Sequence, residues 1–214
     1  MIGIQSIATY LPDESVNNSD RLDEFGIAED FLTNKIGIKK IYRKFHDEET
    51  SDMCVAAIKS MAKSNNLDLK KIDCLIVCTQ NPDGYGLPHT SAIVHGKLKL
   101  ATNCAVFDIS LGCSGYVYGL SVIKAFMESN DLSVGVLVTA DPYSKVINYS
   151  DKNTSLLFSD AATATLVSST PKLQIGRFCF GSDGAQADAI NVNSEANLLE
   201  MDGRRVFNFA ATVI

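Results

Sequence analysis

The sequence predicts an α/β fold, and three features predict it. Apolar runs and helical stretches alternate from about residue 50 to residue 168. Three of the runs, LIVC at 75–78, AVFDI at 105–109 and VGVLV at 134–138, are almost free of polar residues, as strands are when helices cover both faces of a parallel sheet. Helix start and stop signals stand between the runs, each at the position its chemistry requires.

In chain order, residues 2–8 read as the first strand and 12–18 as a polar loop, with Ser19 capping a short helix over 19–25. Gly26 closes that helix and Gly37 closes a second over 29–36, each where a left-handed residue ends a helix without a Cβ clash. Thr50 or Ser51 caps a longer helix to about residue 64, whose Cys54, Ala57, Ile58 and Met61 form one apolar stripe. Strand 73–79, helix 88–98 with Pro88 in its first turn, strand 105–110, helix 113–129 and strand 134–140 follow. A strand at 162–168 and a strand-rich tail from Lys172 complete the pattern. Residues 207–214 read as the opening of an amphipathic helix with no stop signal, so the chain is expected to end inside an element. No internal repeat or low-complexity linker interrupts the pattern. Ser169, Thr170 and Pro171 mark the best boundary, dividing 1–170 from 171–214.

Composition removes several function classes. A chain of 214 residues with 46% hydrophobic and 21% charged residues can bury a sizeable core. Its net charge of -6 argues against a nucleic-acid binder, which needs a concentrated excess of Lys and Arg. The amino terminus has no basic segment followed by a long apolar one, and no apolar run reaches the span of a membrane helix, so a soluble, cytoplasmic protein is expected. The six cysteines sit mostly in apolar stretches, which suits reduced core thiols better than disulfides. Cys74 and Cys78 imitate a metal spacing but fall in a strand, too far apart to chelate one ion, so no metal site is expected.

The strongest chemistry lies in FDISLGCSGYVYGL at 107–120, where a buried strand runs into a turn at Gly112 and then a helix expected to begin at Cys113. A thiol at a helix amino terminus meets unpaired N–H groups and the positive end of the dipole, which favour the reactive thiolate. The same N–H groups can hold the oxyanion of a thioester under attack. Tyr116, Leu120, Ile123 and Met127 give this helix one apolar face, Gly115 and Gly119 allow close approach of another backbone, and deep burial is expected. Spacing alone fits a small inert core residue at Cys113 at least as well, since free cysteines are usually buried.

This segment resembles the active-site region of the β-ketoacyl-acyl-carrier-protein synthase III family, in which an aromatic-Asp strand leads to a Cys-small-Gly elbow. The resemblance extends to the Leu11-Pro12 turn, KIGI at 35–38, Leu87-Pro88-His89-Thr90, FSDAATATLV at 158–167 and MDGRRVF at 201–207, in the family's order along the whole chain. It implies a thiolase-like layered α/β/α/β/α fold, of which 1–170 is the amino-terminal half carrying the nucleophile and 171–214 the start of the second half.

The resemblance further implies that Cys113 takes an acyl group from acyl-CoA, and that malonyl-acyl-carrier protein then loses carbon dioxide and attacks the acyl-cysteine. No cofactor is implied beyond these substrates, and the family forms homodimers, with the strand before Cys113 at the two-fold interface. Leu87 falls where the family closes the partner's acyl pocket, and Leu156, Phe158, Met201 and Phe207 fall on other pocket positions; each fits plain core packing equally well. Phe31 stands where a Trp usually stacks on adenine, and Lys35 and Lys152 where Arg is usual, so coenzyme A should be held less tightly or the donor should be a carrier protein. Lys39, Lys40, Arg43 and Lys44 form a basic cluster that either docks an acidic carrier or is a solvated surface. The family's catalytic His and Asn find no match among His46, His89 and His95 or elsewhere in the chain. Rival readings are a hydroxymethylglutaryl-CoA synthase-like condensing enzyme and a non-catalytic thiolase-fold subunit. A hydrolase with a cysteine elbow is disfavoured because no acid and His follow Cys113 in the required order.

Overall fold

The computed structural model describes residues 1–212. In chain order its main elements are β1 (Gly3–Tyr10), β2 (Glu14–Asn17), α1 (Leu22–Phe25), α2 (Glu29–Phe31), β3 (Lys40–Arg43) and α3 (Thr50–Asn65). Next come β4 (Cys74–Cys78), α4 (Thr90–Leu98), β5 (Ala105–Ile109), α5 (Gly115–Ser129), β6 (Val134–Ala140), α6 (Lys152–Ser155) and β7 (Ala162–Ser168). The short β8 (Leu173–Gln174), β9 (Ile190–Asn193) and β10 (Leu198–Met201) precede α7 (Gly203–Thr212). Two compact units result. One comprises Met1–Pro12, Lys44–Pro142 and Ala161–Phe178; the other comprises Asp13–Arg43, Tyr143–Asp160 and the residues from Cys179 onward.

The first unit is built on a six-stranded sheet in the order β5-β4-β6-β7-β1-β8. β4 runs parallel to β5 and β6, whereas β6–β7, β7–β1 and β1–β8 are antiparallel. The sheet is therefore mixed and not parallel throughout, because an apolar run reports burial on two faces and not strand direction. Side chains alternate as the pleat requires. Leu75, Val77, Val136, Val138, Ala164 and Leu166 pack with α3 and α4, while Cys74, Ile76, Leu137 and Val167 pack with α5. Each fully buried side chain, such as Ile123 or Met127, contributes about 1.5–3 kcal/mol.

Several local expectations change. α3 begins after Glu49, whose amide donates to the Asp52 carboxylate at 3.0 Å, so Thr50 and Ser51 lie inside the helix. Pro88 lies before α4, whose cap is His89. α5 buries Gly115, Gly119, Leu120, Ile123 and Met127 but leaves Val117 and Val122 exposed, so it is covered on one face only.

In the second unit, β2 and β3 form an antiparallel ladder from Glu14–Arg43 to Asn17–Lys40, within part of what reads as loop in the sequence. Ser19 caps nothing; it lies inside a 3₁₀ turn over Asn18–Arg21. The buried Asn18 side chain donates through Nδ2 to the Ile38 and Leu156 carbonyls at 2.9 and 2.8 Å. Gly26 and Gly37 do close the helical turns before them, with φ of 57° and 73°. α7 begins at Gly203, four residues before the expected opening at 207, and residues 213–214 of that expectation lie outside the described residues.

Candidate functional site

β4 and β5 end side by side, and the chain leaves β5 through a tight elbow. The Thr79 amide donates to the Ile109 carbonyl at 3.0 Å, and the Leu111 amide donates back to the same oxygen at 3.1 Å. The Gly115 amide then closes a turn onto the Gly112 carbonyl at 2.8 Å. Cys113 sits inside this turn, and Ser114 is the residue from which α5 starts. The first intrahelical bond is made by the Tyr118 amide to the Ser114 carbonyl at 3.1 Å. Cys113 therefore stands two residues before α5 and does not open it. The amides of Tyr116 and Val117 come ahead of that first bond, at the positive end of the helix.

The cysteines separate by environment. Cys54, Cys74, Cys78 and Cys104 are buried, whereas Cys113 and Cys179 are exposed. Burial pushes the thiols of Cys74, Cys78 and Cys104 up to about 12, 11 and 11, and that of Cys54 further still. These four are inert protonated thiols at neutral pH. The exposure of Cys113 removes the reading of it as a core residue.

The excursion from Thr79 to Thr90 is held at both ends by carboxylates. At its start, Asp141 Oδ1 accepts from the Gln80 amide at 2.7 Å, the Thr79 hydroxyl at 3.1 Å, and the Asn81 side chain and amide at 3.1 and 3.2 Å. Burial raises the Asp141 carboxyl above its ordinary value, with these hydrogen bonds acting in the opposite sense. At its end, Asp108 on β5 accepts from the Thr90 and Ser91 amides at 2.7 and 2.9 Å. Between the anchors, Tyr85 and Leu87 stand out almost wholly exposed, Leu87 at 92%.

The histidines serve the local structure. His89 Nδ1 accepts from the Ala92 amide at 3.3 Å, 2.8 Å from Ser91 Oγ and 3.8 Å from Asp108. His95 Nε2 lies 3.1 Å from the Ala101 carbonyl, and His46 is exposed in the loop before α3. Among the described residues, no group of three or more His, Cys, Asp or Glu is placed to hold a metal ion.

In the second unit, the structure brings two sequence-named residues together: Lys152 Nζ stands 5.1 Å from the ring centroid of Phe31, a cation–π distance. Lys35 is exposed in the turn ahead of Gly37. Leu156 is fully buried, and Phe158 stacks on Tyr143 with centroids 4.4 Å apart. Met201 is half-buried at the end of β10, and Phe207 lies 69% exposed on α7. Arg43 leaves the expected basic cluster, because it is buried and donates to the Phe158 and Ser155 carbonyls at 2.7 and 3.2 Å. Desolvation lowers its guanidinium pKa, and Asp160 opposes that shift. Sequence reasoning missed this role, as it missed Asp141 and Cys78. The available signal for Asp141 was an acidic residue directly after an apolar strand.

An exposed thiol in the elbow between a half-buried edge strand and a helix packed on a mixed sheet is the arrangement of a thiolase-type enzyme. The comparisons narrow this class. Residues 107–184 match the family described as 3-oxoacyl-[acyl-carrier-protein (ACP)] synthase III. The β-ketoacyl-[acyl-carrier-protein] synthase III of Sulfurovum sp. (strain NBC37-1) is 32% identical over 98% of this chain and 66% of its own length. That of Clostridium kluyveri is 31% identical over 100% of this chain and 69% of its own. The crystal structure of a 3-oxoacyl-(acyl-carrier-protein) synthase III matches with a TM-score of 0.90 at 30% identity, covering 99% of this chain and 71% of that one. The chain spans about two thirds of the length of these relatives. It belongs to the 3-oxoacyl-[acyl-carrier-protein] synthase III family, whose members are acyltransferases of the condensing type.

Proposed function

We propose that Cys113 is the acyl acceptor of a 3-oxoacyl-acyl-carrier-protein synthase III reaction in fatty-acid synthesis. The Cys113 thiolate adds to the carbonyl carbon of an acyl-CoA, the amides at the start of α5 hold the oxyanion, and coenzyme A leaves as its thiolate. Malonyl-acyl-carrier protein then loses carbon dioxide, and the resulting carbanion attacks the acyl-cysteine. The β-ketoacyl product forms and Cys113 is released as thiolate. The observation that carries this reading is the exposed Cys113 in the turn between β5 and α5, two residues ahead of the helix start.

The remaining assignments follow from family membership. Leu87, Leu156, Phe158, Met201 and Phe207 line the acyl site, while Phe31, Lys35 and Lys152 receive coenzyme A or the carrier protein. The contact of Lys152 with Phe31 supports placing one charge and one ring in the same nucleotide or carrier subsite. The reaction uses no resident cofactor. A homodimer formed along β5 is supported by its place at the sheet edge, where all five residues are only half-buried. Residues 1–170 supply the nucleophile half of the fold and 171–214 the start of the second half. A cytoplasmic location agrees with the reaction's substrates, and no described helix is long and apolar enough to cross a membrane. The family's enolate-stabilising His and Asn have no counterpart in His46, His89 or His95.

The test is intact-mass measurement after incubation with acetyl-CoA or octanoyl-CoA. One acyl adduct, absent from Cys113→Ala, is the expected result. Wild-type protein that takes no adduct refutes the acyl-acceptor role and leaves a scaffold subunit.

A further inference from the structure

Cys78 is the last residue of β4, flanked by β5 and β6, and it is 1% exposed. Its sulfur lies 3.2 Å from the Leu111 carbonyl oxygen. Because burial keeps this thiol protonated at neutral pH, the S–H donates and the carbonyl accepts. The same sulfur also lies against Gly115: a Cβ built there would stand 2.3 Å from Cys78 Sγ. Cys78 therefore touches the chain two residues before Cys113 and two residues after it. No step of the reaction above uses this contact.

We propose that Cys78 is a positioning residue for acyl transfer: its thiol holds the Leu111 carbonyl and buttresses Gly115, which fixes the pose of Cys113 relative to the first amides of α5. The inference rests on Cys113 being the acyl acceptor. A floor of this kind acts through geometry, since a reacting atom displaced by a fraction of an ångström loses alignment with both thioester and oxyanion donors. A serine keeps a donor at position 78, although its shorter bond reaches less far; an alanine removes the donor and leaves a gap under the elbow.

Cys78→Ala and Cys78→Ser are compared with wild type in two assays, each normalised to folded protein by thermal unfolding. The first is the acylation rate of Cys113 across acyl-CoA concentrations. The second is the pH profile of Cys113 alkylation by iodoacetamide. Cys78→Ala is expected to slow acylation about fivefold at saturating acyl-CoA with KM little changed, the effect of losing one hydrogen bond of about 1 kcal/mol. Its alkylation midpoint moves upward in pH, and Cys78→Ser recovers most of both effects. The inference is overturned if folded Cys78→Ala acylates at the wild-type rate, or if Ser and Ala are equally slow. Should wild type take no adduct, the acyl-acceptor reading fails by itself. The iodoacetamide profiles then decide Cys78: an upward shift in Ala that Ser reverses supports it, and superimposable profiles reject it.

Discussion

Replacing Gly115 by Ala tests the packing beneath the elbow. The added Cβ would stand 2.3 Å from Cys78 Sγ and 3.3 Å from Leu111 Cβ. Ordinary contacts between such atoms are about 3.5–4.0 Å, so the sulfur must move by more than about 1 Å or α5 must shift. Cys78 has one side-chain torsion and almost no exposure, so it has little room to yield. Overpacking of this kind costs about 1–3 kcal/mol, and the helix-propensity gain of Ala over Gly, at most about 1 kcal/mol, is reduced at the first helical position. The net loss is about 1–2 kcal/mol, a drop in Tm of about 2–8 °C for a chain of this size. In Cys78→Ala/Gly115→Ala the sulfur is gone and the nearest remaining atom of residue 78 is its Cβ at 3.9 Å, an ordinary contact. Thermal and urea unfolding of both single variants and the double variant should therefore give a double that loses less than the sum of the singles, by about 1 kcal/mol or more. A Gly115→Ala protein that melts at or above wild type, or strictly additive losses, would refute the close approach.

Asp141→Asn tests the anchor at the start of the Thr79–Thr90 excursion. Burial raises the folded-state pKa of Asp141, so the folded protein binds more protons than the unfolded chain between the ordinary carboxylate value and the raised one, and stability falls as pH rises through that window; unfolding of Asp141→Asn measured against pH should lack this fall, and an unchanged profile would contradict it. Phe31→Trp with Lys152→Arg restores the family's ring and fork, and single-turnover acylation should reach half its maximal rate at a several-fold lower acyl-CoA concentration with the maximal rate constant little changed; an unchanged half-saturation concentration would remove these positions from the coenzyme A subsite.

The strands over Val134–Ala140 and Ala162–Ser168 were legible to the residue, because their apolar runs are bounded by polar turns on both sides. Their opposite directions were not, since both read as buried runs and only the chain between them decides how the second returns. Gly26 and Gly37 marked helix ends correctly because positive φ selects glycine. Helix starts were less legible: Ser19 and Thr50 have the right side chains, but the turn holding Ser19 starts without a side-chain cap, and Glu49 with Asp52 makes the bonds that open α3. At the site, Cys113 was visible through its flanking strand and glycines, although the turn places it ahead of α5. The groups that shape its surroundings were not visible. Cys78 meets Leu111 across 33 positions, and Asp141 meets Gln80 across 61. Arg43 reads as one more surface cation until burial and three acceptor carbonyls give it an interior place.

The two carboxylates, Asp141 at departure and Asp108 at return, work like pegs for the chain hung between them. Their bonds go largely to main-chain amides, which every residue but proline offers, and the tip at Tyr85 and Leu87 touches little. The tip is thus an interchangeable bit in a fixed chuck. Its length and side chains can be traded without disturbing the six-stranded sheet or the thiol's turn, which leaves room for a lineage to retune whatever the tip meets.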